Sequence, residues 1–501
     1  MKLSISYRII PLIFILSALG SIPFLLSKAA LASVPPAAAV ISTPQYIAGA
    51  GGDETVTDAD FFPAVAYDAS TQRFLVVWLS TRNASDPSDG LDVYGILLDR
   101  YGAPLSGEFR ISDTNSVALN SLPTVAAGDG EFSVGWTRRG SPCAVLAQKV
   151  FDSSNAPDRL LVAGEKHYHS PNLTFNSKTG KYAAIFIAGD EYMAPALYGA
   201  ETSDCGSNPA SDSQPLAVQF SWQGDDLNVE TPINLAKNAS GAFRPRLTYS
   251  SDMDQYLAVW EDRRNAAGKV DFFQVAAQRV GHDWTLTGQN LMLTAGSLYT
   301  SADPSATWTP RPAVSAGRTN FLVSWFTRKA ETTAVLWSVH ASLLPLNGAA
   351  EPAFPVTQIN FAQSHPENAP TGFLATAYAP KIDEYLVGLS SHMESFWGYF
   401  SIALVQRVSA DGALLRLDGS VQNQPGVGYA LDYENDDQIG IGLAADTARV
   451  YSADYFAVYS KHPLNHSEHD FDIWGARVFI PASNSRNLYV PAIYKNSPVA
   501  K

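Results

Sequence analysis

The chain has 501 residues, 46% hydrophobic and 16% charged, with 34 Lys and Arg against 48 Asp and Glu, a formal net charge of −14 at pH 7. That composition supplies ample material for a core and argues against a membrane protein of many spans. The acidic balance repels nucleic acid and anionic lipid, so neither is an expected partner.

Lys2 and Arg8 precede a mostly apolar run from Ile9 to Leu26, and Ala30-Leu31-Ala32 has the small-x-small form that signal peptidases accept. The run is nearly long enough to span a bilayer, so an uncleaved anchor is the rival reading. Pro11 and Pro23 interrupt it and a cleavage site follows, which favours a cleaved secretory signal over residues 1–32. The mature chain is then secreted or held at the cell surface with no membrane span, and keeps 31 basic against 48 acidic residues. Residues 33–43, small and Pro-rich, read as a flexible leader, and P-Q-Y-I-A-G at 44–49 reads as a short strand before a Gly-rich break.

From Pro63 one unit repeats. Its starts are P-A-V-A-Y at Pro63, P-T-V-A-A at Pro123, P-N-L-T-F at Pro171, P-R-L-T-Y at Pro245, P-A-V-S-A at Pro312, L-A-T-A-Y at Leu374 and a weak version near Leu443. Paired second strands end at Trp78, Trp136, Phe186, Trp260, Trp325, Leu389 and Tyr459. In the first six units 13 or 15 residues separate the start from that last residue, so the hairpin is scaffold while the other loops vary. Third strands follow from Asp92, Ala144, Asp271, Val335, Tyr399 and Asp472; in the third unit L-A-V-Q-F-S-W from Leu216 is preferred, which leaves a long insertion from about Gly189 to Gln214. Fourth strands are read at Glu108, Arg159, Pro232, Leu291, Phe354 and Leu414.

The last unit lacks a fourth strand and ends at Pro481, while residues 44–49 sit where the fourth strand of a preceding unit would sit. Pairing the two closes a ring and removes its open edges. The expected fold is all-β: a seven-bladed β-propeller of four-stranded blades over residues 44–481, with six or eight blades as alternatives and a C-terminal tail at 482–501. The unit P-x-V-A-Y, F-L-V-V-W, Arg, D-V-Y-G resembles the repeat of exported bacterial propeller-like proteins of uncharacterised function. That resemblance implies a fold and no activity. The tail segment 487–496 is similar to short C-terminal tails on some exported bacterial proteins.

Arg82, Arg138, Arg263 and Arg328 lie just beyond the second-strand ends, and Asp92, Asp271 and Asp472 open third strands. A ring of cations for an anionic ligand is one reading; recurrence favours the other, in which each Arg ties a loop to an Asp of its own or the next blade. Trp78, Trp136, Trp260 and Trp325 share one repeat position and are expected to fill the wedges between blades rather than stack on sugar. His462, His466 and His469 form a cluster whose chemistry suits Zn²⁺ or a related metal, but H-x3-H-x2-H matches no zinc motif, and a solvated loop is the favoured reading. Asp86, Asp89 and Asp92, and Asp432, Glu434, Asp436 and Asp437, are acidic turns that could take Ca²⁺ yet lack the order of a calcium loop. The loop with the His cluster and the connection holding His167 and His169 share one face of a propeller, the first place to look for a site. Cys143 and Cys205 are expected to pair, pinning the long insertion, with two unpaired thiols as the rival.

The chain contains no sialidase Asp box, G-x-S-x-G, H-E-x-x-H or phosphate loop. The leading expectation is a monomeric, non-enzymatic propeller binding an extracellular protein or glycan through loops on one face. The alternatives are an extracellular polysaccharide hydrolase or lyase and a structural envelope protein.

Overall fold

The computed structural model describes residues 38–49, 59–82, 91–112, 120–140, 142–153, 157–189, 213–236, 241–264, 274–294, 299–300, 311–330, 334–362, 373–395, 398–432, 437–449, 452–462 and 471–481. They form seven sheets in a closed ring, each a blade of a β-propeller, with strand pairing antiparallel except where Tyr299–Thr300 runs parallel to Asn320–Ala330. Blade 1 runs outward through Asp60–Asp68, Arg73–Ser80, Asp92–Asp99 and Phe109–Arg110. The other inner strands, in chain order, are Asn120–Ala127, His167–Asn176, Ala242–Ser250, Ala313–Ala316, Phe373–Ala379 and Asp437–Ala445. Each packs beside the inner strands of both neighbouring blades, so together they line the central channel.

The second strands read as unbroken apolar runs because both of their faces are covered by adjacent blades, unlike a strand with one wet face. Gln255–Asp262 is buried at every position. Seven large apolar clusters occupy the seven junctions between blades. A second set of ties crosses these junctions. The Tyr182 hydroxyl donates to the Glu131 carbonyl of blade 2 (3.3 Å), that of Tyr385 to the Asn320 carbonyl of blade 5 (3.0 Å) and that of Tyr455 to the Glu384 carbonyl of blade 6 (2.9 Å). Glycine makes this reach possible: a Cβ on Gly128 would stand 2.2 Å from the Tyr182 hydroxyl, and one on Gly317 2.0 Å from that of Tyr385.

The ring closes as expected between the two ends of the chain. Gln45–Ala48 pairs with the third strand of blade 7, Asp472–Pro481, placing Gln45 opposite Gly475 and Tyr46 opposite Trp474. Pairing starts earlier than the sequence suggested: Val40 and Ile41, in the segment read as a leader, lie opposite Phe479 and Val478. Ile47 and Ala48 are buried there. The outer strands depart most from expectation. In blade 3 the outer edge is two pieces, Asp226–Val229 and Ile233–Asn234, both on Gln214–Gln223, and in blade 4 it begins at Leu286 rather than Leu291. Solvent takes one side of an edge strand, so its apolar pattern is weaker than that of the second strand.

Candidate functional site

On one face of the ring the chain enters each inner strand, leaves each second strand and starts each third strand. The inner strands share a device at this mouth. In blades 1 to 4 and 7 the pairing to the second strand skips two residues: Phe62 and Pro63, Leu122 and Pro123, Ser170 and Pro171, Arg244 and Pro245, and Gly440 and Ile441. The first of each pair is left-handed, with φ of 53° at Phe62, 52° at Leu122, 55° at Ser170, 43° at Arg244 and 67° at Gly440; Arg311, before Pro312 in blade 5, has φ 46°. Proline explains the place. It has no N–H to give the ladder, so it fits a bulge, and it steers the preceding residue out of the right-handed region. The left-handed residue then turns its side chain away from the pleat.

These re-aimed side chains meet around the mouth. Phe62 of blade 1 packs on Phe373 of blade 6 with ring centroids 5.1 Å apart, spanning blade 7, whose bulge residue is Gly440. A Cβ on Gly440 would lie 3.2 Å from Pro63. The Arg311 guanidinium stacks over Phe373 at 5.0 Å, and the Arg311 N–H donates to Glu261 (2.7 Å). Glu261, on the second strand of blade 4 and fully buried, also accepts from Arg244 at 3.1 Å. Arg246, two residues on, donates to the Pro245 carbonyl (2.9 Å).

Burial first, and then the charge of Arg244, push the guanidinium of Arg246 below its ordinary value, with Glu261 acting in the opposite sense. The same causes lower that of Arg311, and Arg246 adds to them. Three like charges therefore share one locality, with Phe62 and Phe373 beside them. Such a cluster can take a carboxylate by paired N–H donation and an apolar ring face by stacking.

No family model and no curated protein matches this chain. Solved structures similar to it include a Trypanosoma rangeli sialidase in complex with the inhibitor DANA: 7% identity and TM-score 0.41, over 76% of this chain and 57% of the sialidase. A neuraminidase-like protein of subtype N11 from influenza A/flat-faced bat/Peru/033/2010 is 8% identical with TM-score 0.42, over 90% of this chain and 96% of that one. The α-L-arabinofuranosidase of Lactobacillus brevis is 13% identical with TM-score 0.36, over 63% and 97%. The likeness is one of fold.

None of the described residues singled out in the sequence belongs to this cluster. Trp78, Trp136, Trp260 and Trp325 are buried in the blade junctions. Arg82 pairs with Asp60 of its own blade (3.1 Å) and with Glu108, and Asp92 takes Arg110 (2.7 Å). In blade 4 it is Arg264, one residue beyond Arg263, that holds Asp262 (2.6 Å). Asp472 is buried at the closing edge, where a Cβ on Gly49 would collide with its carboxylate. His462 packs on Phe471, ring centroids 4.9 Å apart, while His466 and His469 lie outside the described residues, as do Asp86, Asp89, Asp271, Glu434 and Asp436. Asp432 is buried against Lys461 at 2.9 Å. Cys143 is buried and disulfide-bonded, and the chain's other cysteine, Cys205, is outside the described residues. His169 is buried near the mouth, its Nδ1 3.0 Å from the Ser170 hydroxyl; burial, and then His167, push it down to about 3.

Sequence reasoning missed Arg244, Arg246 and Arg311. The signal was present: R-P-R at 244–246 and R-P at 311–312 put cations on the start motif of two successive blades, where the first three carry Phe, Leu and Ser.

Proposed function

We propose that this is an exported propeller that binds an acidic glycan at its channel mouth. Arg244, Arg246 and Arg311 hold the carboxylate of one sugar, and Phe62 and Phe373 receive that sugar's apolar face. The observation that carries the reading is the grouping of the three guanidinium groups around Glu261 beside an aromatic pair. Planar forks match a carboxylate, and flat rings match the C–H face of a pyranose. The overall charge of −14 disfavours a polyanion, whose many phosphates would face an acidic surface, and leaves a single carboxylate on a neutral glycan as the better fit. Binding is favoured over hydrolysis because Glu261 is engaged by Arg244 and by the Arg311 N–H, and so positions the arginines. Most glycoside hydrolases use a pair of carboxyl groups across the scissile bond.

Calorimetric titration with an aldobiouronic acid and with its methyl ester tests this. Saturable binding of the acid, with the ester at least about tenfold weaker, is expected from losing charge-assisted hydrogen bonds. Equal affinity for the two would remove the carboxylate site.

A further inference from the structure

A cleft of about 430 Å³ opens on the outer side of blade 6, lined by Gln406, Arg416, Gln422, Asn423, Gln424 and Tyr429 among others. Residues 416–428 form the excursion between two short outer pieces, Leu414–Leu415 and Tyr429–Ala430, which both pair with Gly398–Ser409. The excursion rests on blade 5, where the Gln358 N–H donates to the Gly426 carbonyl (2.9 Å). Its volume is within the range of about 300–1,000 Å³ usual for small-molecule sites.

Gln406 makes this more than a gap. It is fully buried, and its Nε2 donates to the carbonyls of Arg407 (3.0 Å) and Leu415 (2.8 Å), which fixes the amide. Its Oε1 is buried with no hydrogen-bond partner among the described residues, and the residue lines the cleft. Blade 4 holds the same Q-R-V segment and supplies an internal control. Gln278 donates to the carbonyls of Arg279 and Thr287 in the same manner, and there Asn290 Nδ2 satisfies its Oε1 at 2.6 Å. Gln148 of blade 2 also has a buried Oε1 without such a partner, so the lone acceptor is not a site by itself. In blade 6 the residue that carries the lone acceptor lines a cleft, from which a bound donor would take the place that Asn290 fills in blade 4.

We propose that this cleft is a second binding site, for a neutral sugar unit, in which a hydroxyl or N-acetyl N–H of the ligand donates to Gln406 Oε1. The lining favours that class. The side-chain amides of Gln422, Asn423 and Gln424 both donate and accept, as vicinal hydroxyls require, Tyr429 offers a ring, and Arg416 is the one charged group among the lining residues.

Titration of the full chain with the methyl β-glycosides of glucose, galactose and N-acetylglucosamine tests it. At least one should bind with one molecule per chain. Gln406→Leu should weaken it about tenfold, the loss of one buried hydrogen bond. Because Gln406 also holds two carbonyls, Asn423→Ala and Arg416→Ala, at exposed positions, serve as second variants and should weaken it about threefold or more without moving the unfolding midpoint. Arg311→Ala at the mouth should leave this binding unchanged, which separates it from the acidic site. Failure of all three glycosides to saturate, or unaltered affinity in both Asn423→Ala and Arg416→Ala, would overturn the proposal.

Discussion

Two positions of the repeat differ in what they repeat. At the end of the second strand both backbone and side chain recur, giving four tryptophans that are each at most 1% exposed. At the bulge of the inner strand only the backbone recurs. A left-handed residue occupies it in five blades and stands before Pro312 in a sixth, yet the residue is Phe62, Leu122, Ser170, Arg244, Gly440 or Arg311. A wedge between blades poses the same packing problem at every junction, so the same residue solves it. A mouth that recognises an asymmetric ligand needs different chemistry from each blade, presented by one shared geometry. On the proposed function, the blade walls carry stability and the bulges carry recognition.

Interventions on the ring should have the largest effect. Removing residues 38–49 strips both closing segments from blade 7 and exposes the edge of Asp472–Pro481. The cooperative thermal transition should be lost in calorimetry, and an unchanged midpoint would contradict closure. Next comes the wedge: Trp136→Ala should cost about 3–5 kcal/mol in denaturant unfolding, as large aromatic truncations in tight cores do. The protein that stays folded should retain its affinity for the acidic glycan, and lost affinity at full stability would blur the division between wall and mouth.

The smallest effect concerns pH. His169 resists protonation in the folded chain down to about 3, against an ordinary value of 6.5. Between those values the unfolded chain binds a proton that the folded chain does not, so stability falls as pH drops through that window. The slope contributed is at most about 1.4 kcal/mol per pH unit. His169→Gln should flatten the acid limb of a melting-temperature profile below pH 6.5 and leave the neutral region alone. An acid limb of the same steepness would show that other groups set it.

The fold was largely legible in the sequence because its signals are local and repeated. The F-L-V-V-W type of run marks a strand buried on both faces, and the missing last strand pointed to residues 44–49. The bulge was half legible: the recurring proline marked the position, but the left-handed turn of the residue before it, and the way Phe62 reaches Phe373 over Gly440, arise from blades that meet only in three dimensions. The sequence left open which aspartate Arg82 would take. Asp60, at the start of the inner strand of the same blade, is its partner. Repetition pointed to scaffold, and the departures from it, R-P-R at 244–246 and R-P at 311–312, supply the cations of the proposed site.

The most direct test pairs two readouts on Arg311→Met, which keeps the side-chain length and the backbone N–H to Glu261 while removing the charge and its place over the Phe373 ring. Affinity for the aldobiouronic acid should fall at least about tenfold, the loss of a charge-assisted hydrogen bond. The unfolding midpoint should change little, since relief of the crowding with Arg244 and Arg246 offsets the lost contact over Phe373. A lowered midpoint with undiminished affinity would make Arg311 part of the scaffold and contradict the assignment of recognition to the bulges.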